Sequence, residues 1–242
     1  VVNQAGNGDH LKTLYELLGQ AGWKRGLVTT TEITHATPAG CAACVDSRDK
    51  ATTIAEQYLK REIEVLLGGG QKFFDKEYRK DKRDLRGDFA KARYATLSTA
   101  AELAVAPVDQ RWLGLFARSH LPFSLDQQND PTARAAIPTL AAMTAAALRR
   151  LEREKHFILQ VEGGRVDHGC HNNDAAAALF DQLALDEAIE ICLEFQKRVP
   201  DTLIVMTSDH GNANLGLNGT GDAYGQSTWQ FANLMKVTAS FS

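Results

Sequence analysis

Two short segments constrain this chain more than any other feature. The first is Val161-Glu162-Gly163-Gly164-Arg165-Val166-Asp167-His168-Gly169-Cys170-His171, and the second is Ser208-Asp209-His210-Gly211-Asn212. Each follows an apolar run with strand character, His156 to Val161 and Thr202 to Thr207. Each therefore delivers carboxylates and imidazoles where a strand should end. Open α/β sheets bind their ligands at that carboxyl edge. A strand end with this many ionisable groups would be costly to bury without a cation to balance them.

The rest of the chain fits such a sheet. Apolar strand-like runs alternate with helix-period segments, the pattern of a mostly parallel α/β fold. The expected architecture is a three-layer α/β/α sandwich. Strands are expected at 26–31, 63–67, 111–117, 156–161 and 202–207. Helices are expected from Asp9 to Gly22, after Thr37-Pro38, from Ala51 to Arg61, from Thr139 to Lys155 and from Asp174 to Arg198. Residues 118–137 and 216–228 read as loops. Residues 71–95 read as a polar surface excursion, within a single domain over 1–242.

Composition excludes several classes. Hydrophobic residues make up 44% and charged residues 24%, as in an ordinary globular chain. The net charge of −3 provides no field to hold nucleic acid or an anionic membrane. The basic run Lys76 to Arg86 is interleaved with acids and reads as a solvated surface. No apolar run approaches the roughly 18 residues of a membrane span. Four cysteines are too few for a disulfide framework at this size. Cys41 and Cys44 read as small residues of an Ala-rich helix, with a structural metal or redox pair as the alternative.

The spacing of the ionisable residues points to divalent cations. Asp167 and His171 are four apart, so a helical or turn segment puts both on one face as a two-point chelate. Asp209 and His210 are adjacent and can share one ion at a strand-to-loop turn. Glu162 stands before two glycines that allow a tight turn towards a neighbouring site. Five strong ligands from two strand ends suit more than one cation, the arrangement that clamps attacking and leaving oxygens in phosphoryl transfer.

These segments closely resemble the metal segments of the alkaline phosphatases. Upstream, T-E-I-T-H-A-T-P-A-G followed by V-D-S-R is similar to a third stretch of that family, and L-G-L-F-A and P-T-L-A-A-M-T fall in the expected order. The resemblance implies two zinc ions and one magnesium ion. Asp167 and His171 would ligate the first zinc, Asp209 and His210 the second, and Glu162 and Thr37 the magnesium. Arg48 matches the guanidinium that grips two phosphate oxygens. His35 and His168 match positions beside the third ion.

The implied activity is phosphomonoester hydrolysis through a phosphoserine intermediate. The substrates would be small phosphate monoesters. The implied location is periplasmic or secreted, and the resemblance admits a homodimer. The family's D-S-[AS]-A nucleophile motif and its bridging Asp have no counterpart before Thr37, and no His follows His210. The expectation is thus an internal fragment, incomplete at both ends and inactive alone. Two alternatives stay open. One is a phosphomutase or sulfatase of the same superfamily, since T-x-D-H-G-N also occurs in phosphoglycerate mutases. The other is a non-catalytic module that binds metal or phosphate.

Overall fold

The computed structural model of the chain describes residues 1–212 in full, together with the backbone of 216–219, 226–230 and 236–240. Its helices and strands alternate as the sequence pattern requires. In chain order they are α1 (Leu14–Gln20), β1 (Lys24–Glu32), α2 (Ala36–Ala42), α3 (Ala51–Lys60), β2 (Val65–Gly69), α4 (Leu85–Lys91), β3 (Tyr94–Leu97), α5 (Ala100–Ala104) and β4 (Arg111–Leu115). Then follow α6 (Ser124–Asn129), α7 (Pro131–Ala136), α8 (Leu140–Leu151), β5 (Phe157–Glu162), α9 (Arg165–His171) and α10 (Ala175–Arg198). β6 (Gly216–Gly219), β7 (Gln226–Gln230) and β8 (Lys236–Ser240) form a separate antiparallel sheet.

The main sheet runs β3-β4-β2-β1-β5, and every neighbouring pair is parallel. Parallel sheets are covered on both faces, so their strands are buried on both sides. Alternation within the strands divides the core accordingly. Leu27, Leu66 and Leu113 face a cluster with Tyr15, Ile54, Tyr58, Phe74 and Phe89. Val28, Val65, Leu67 and Trp112 face the opposite cluster, with Leu140, Met143, Ala147 and Leu151 of α8 and Ala188 of α10. The molecule is the expected α/β/α sandwich.

Tyr15 fixes α1 to this sheet. Its hydroxyl donates to Gly26 O at 2.6 Å and accepts from Gln160 N at 3.2 Å. Glycine matters at one close approach that shapes the site: a Cβ on Gly69, the last residue of β2, would lie 2.0 Å from Ser119 O. Its absence lets the loop after β4 pack directly on the end of β2.

Several expectations are corrected. The first helix begins at Leu14 rather than Asp9, because Thr13 and Glu16 form a reciprocal capping box. Residues 71–95 keep Lys76, Lys80, Lys82 and Arg83 at the surface, but they also insert Phe74, Leu85, Phe89 and Tyr94 into the core. Residues 118–137 hold α6 and α7 rather than a loop. Pro131 opens α7 at its first turn, where a missing N–H costs nothing, and Asp130 caps it. Within 216–228, expected as a loop, lie β6 and part of β7.

The largest correction concerns Thr202 to Thr207, which is not a strand. It leaves α10 without joining the ladder beside β5. Leu203, Val205 and Met206 are 85%, 77% and 73% exposed. β-propensity measures fit to a neighbouring strand, and an apolar run without that partner stays unpaired.

Candidate metal and phosphate site

The carboxyl ends of β1, β2, β4 and β5 meet at one edge of the sheet. β5 ends in Glu162, and Gly163-Gly164 turn the chain into α9. Glu162 Oε2 accepts from Thr29 Oγ1 at 2.6 Å and from Thr31 Oγ1 at 3.4 Å. Arg165 N donates to Thr30 Oγ1 at 3.2 Å, tying the start of α9 to β1. A Cβ on Gly164 would come within 2.9 Å of the Glu162 carboxyl, so glycine leaves the room that carboxylate occupies.

Helical spacing places Asp167 and His171 together as expected, with Oδ2 3.5 Å from Nε2. Asp209 Oδ2 lies 3.2 Å from His210 Nε2. The second segment returns to the first through Asn212, whose side-chain amide donates to Asp167 Oδ1 at 2.5 Å. The two pairs remain pairs: among the described residues, no three Asp, Glu, His or Cys side chains converge as a metal-holding group.

Thr37 stands half-buried in the first turn of α2. Arg48 lies exposed on the turn between α2 and α3, and its Nη2 is 3.4 Å from His35 Nε2. His35 stands just before the first turn of α2, its ring making no capping bond, and packs edge-on against His168, with ring centroids 5.4 Å apart. Arg165 Nη1 lies 2.8 Å from His168 Nδ1 and can only donate to it.

The structure adds residues that no motif pointed out. His120, on the loop after β4, packs 5.5 Å from the His35 ring and 4.5 Å from the His168 ring. Glu32, the last residue of β1, pairs with Lys72 and accepts from Ser119 Oγ at 2.7 Å. Together with His35 and Arg48, these residues line a cavity of about 350 Å³. Their one sequence signal was position: each stands at or just after the carboxyl end of a strand.

Burial keeps the imidazoles neutral. Desolvation pushes His120 down to about 4, and the neighbouring Glu32 carboxylate offsets only part of this. Desolvation, with Arg165 and His35 beside it, also pushes His168 down to about 4. Burial lowers His35 as well. Cys41 and Cys44 are free thiols. Cys41 lies in α2, whereas Cys44 lies beyond the end of that helix and donates to Asn3 O at 3.0 Å.

A family model described as alkaline phosphatase matches residues 2–240. The chain belongs to the alkaline phosphatase family. Alkaline phosphatase 4 of Bacillus subtilis (strain 168) is 37% identical over 222 residues, which is 88% of this chain and 46% of that protein. The alkaline phosphatase of Escherichia coli (strain K12) is 32% identical over 248 residues, 85% of this chain and 52% of that one. The crystal structure of Thermus thermophilus alkaline phosphatase matches with a TM-score of 0.86 at 42% identity, over 91% of this chain and 46% of that one. The chain spans about half the length of the curated relatives it matches. No described helix is long and apolar enough to cross a membrane.

Proposed function

We propose that this chain carries the metal- and phosphate-binding edge of a phosphomonoester hydrolase. The observation that carries the reading is the β5–α9 turn of this family member. It presents Glu162, Asp167 and His171 from one short segment, and Asn212 brings the Asp209-His210 segment to it.

The donor chemistry suits the ions the family resemblance implies. Paired carboxylate and imidazole donors match zinc, and each pair supplies two of the three protein ligands a catalytic zinc takes. Asp167 and His171 would hold one zinc, and Asp209 and His210 the other. Glu162 and Thr37 offer oxygen donors of the kind magnesium prefers. When bound, such ions supply Lewis acidity and neutralise charge that develops on the attacking and leaving oxygens.

The chain's own residues do the rest. Arg48 donates to two oxygens of the phosphoryl group, a bidentate contact that orients it for in-line attack. Thr29 and Thr31 orient the Glu162 carboxylate. The neutral rings of His35 and His168 border the third site without adding charge. The attacking group in this reading is the family's serine, giving a phosphoserine intermediate, and no D-S-[AS]-A motif occurs in these 242 residues. A periplasmic or secreted setting and a homodimer belong to the same reading.

The test is hydrolysis of an aryl phosphate at alkaline pH by the full-length protein, before and after exhaustive chelation. Activity lost with metal and restored by zinc and magnesium is expected. Undiminished turnover by metal-free protein would end this reading.

A further inference from the structure

We propose that His120 is a positioning residue for Arg48: it sets the orientation of the His35 ring, and His35 in turn holds the guanidinium. The proposal rests on the reading of Arg48 as the phosphate-gripping residue.

The relay begins at the backbone. The loop after β4 is pinned where Ser119 O fills the space a Gly69 side chain would take. Glu32 N then donates to His120 Nδ1 at 3.1 Å. A backbone N–H can only donate, so Nδ1 carries the lone pair and the neutral ring carries its proton on Nε2. One tautomer and one ring direction are thereby selected.

His35 has no comparable anchor of its own. Its Nδ1 is buried without a hydrogen-bond partner. Its Nε2 faces Arg48 Nη2 at 3.4 Å, and a guanidinium can only donate. That bond leads outward to an exposed side chain and cannot fix the ring. Packing must do so. The His35 ring meets His120 at 83° and His168 at 90°, both edge-on. His168 is itself held by Arg165. His120 and His168 therefore form a two-walled seat for His35.

Arg48 depends on that seat. Among the described residues, His35 is the one side chain to which it hydrogen-bonds. A flexible, exposed arginine binds more weakly than one already held in its binding direction, because ordering its rotamers takes free energy from the contact. Arg48, His35 and His120 all line the same cavity.

The test uses the full-length, metal-loaded protein with inorganic phosphate as the probe. The variants are His120→Ala, His120→Asn, Arg48→Ala and the double variant of His120→Ala with Arg48→Ala. Asn keeps an acceptor for Glu32 N–H but has no ring, so it separates loop anchoring from ring packing. Both His120 variants are expected to raise KM and the phosphate inhibition constant about tenfold, with kcat and bound metal little changed. His120→Asn should unfold near the native temperature. In the Arg48→Ala background, His120→Ala should add nothing, since the two residues act in series. Native phosphate affinity in both His120 variants overturns the proposal, as does an equal loss in the Arg48→Ala background. Phosphate affinity unchanged by Arg48→Ala alone overturns the underlying reading of Arg48 and this proposal with it.

Discussion

Thr29 and Glu162 are register partners on β1 and β5, and the Thr29 hydroxyl donates to Glu162 Oε2 at 2.6 Å. The same hydroxyl oxygen accepts from Thr31 N at 2.9 Å, so its proton is directed at the carboxylate. A backbone register thereby aims a carboxylate proposed as a ligand. Partners of this kind around a metal ligand are worth about 10–100-fold in affinity. Thr29→Val keeps the shape and the β-branching but removes the donor. Magnesium binding, measured by equilibrium dialysis, is expected to weaken by about tenfold or more. Unaltered magnesium affinity would remove the orienting role from Thr29.

Gly164 guards the same carboxylate sterically. Its backbone is right-handed, at φ −69° and ψ −10°, so alanine would suffer no backbone strain. The obstacle is space: a Cβ would stand 2.5 Å from Thr31 Cγ2 and 2.9 Å from Glu162 Oε1. Gly164→Ala is expected to cost about 1–3 kcal/mol, the usual penalty for overpacking. It should also displace Glu162 and lower the magnesium content. Urea unfolding checks the first effect and elemental analysis the second. Native stability together with native magnesium would show that the turn has more room than the structure gives it.

The segment Thr202 to Thr207 shows where sequence reading stops. β5, α10 and the pairing of Asp167 with His171 were legible because their signals are local: an apolar run, a two-glycine turn, an i,i+4 spacing and a long Ala-rich segment. The 202–207 run has the same local signal as β5. A strand, however, is a pairing between distant residues, and composition names no partner. His120, Glu32, Lys72 and Ser119 escaped for a related reason. They come from three strand ends far apart in the chain, and only the sheet order brings them to one cavity. Hydrogen exchange on the 242-residue chain should reflect this difference. Amides of 203–206 should exchange almost at the unprotected rate, whereas those of Ile158 and Gln160, whose N–H groups face β1, should be slowed by orders of magnitude. Comparable protection in both segments would mean that the run does find a strand partner.

Glu16 gives a prediction away from the site, and its sign follows from its partners. Its carboxylate accepts from Thr13 N at 2.9 Å, lies 3.0 Å from Arg61 Nη2 and 3.1 Å from His10 Nε2. Arg61 continues to Ala42 O, so the carboxylate links α1 to the helices on its face of the sheet. Partial burial opposes its charge, but the Thr13 N–H, His10 and Arg61 outweigh that and hold it at about 2. An unfolded glutamate titrates near about 4.3. The folded value is the lower one, so the stabilisation is fully present above the unfolded value and is lost as pH falls towards about 2. Glu16→Gln keeps an acceptor for the capping box and removes only the charge. At pH 7 the variant should be less stable than the native chain by on the order of 1 kcal/mol. As pH is lowered below the unfolded glutamate value, the native chain should lose this advantage and the two unfolding midpoints should converge. Urea unfolding of both proteins between neutral pH and pH 3 measures it, and a gap that stays constant with pH would show that the ionised carboxylate contributes nothing.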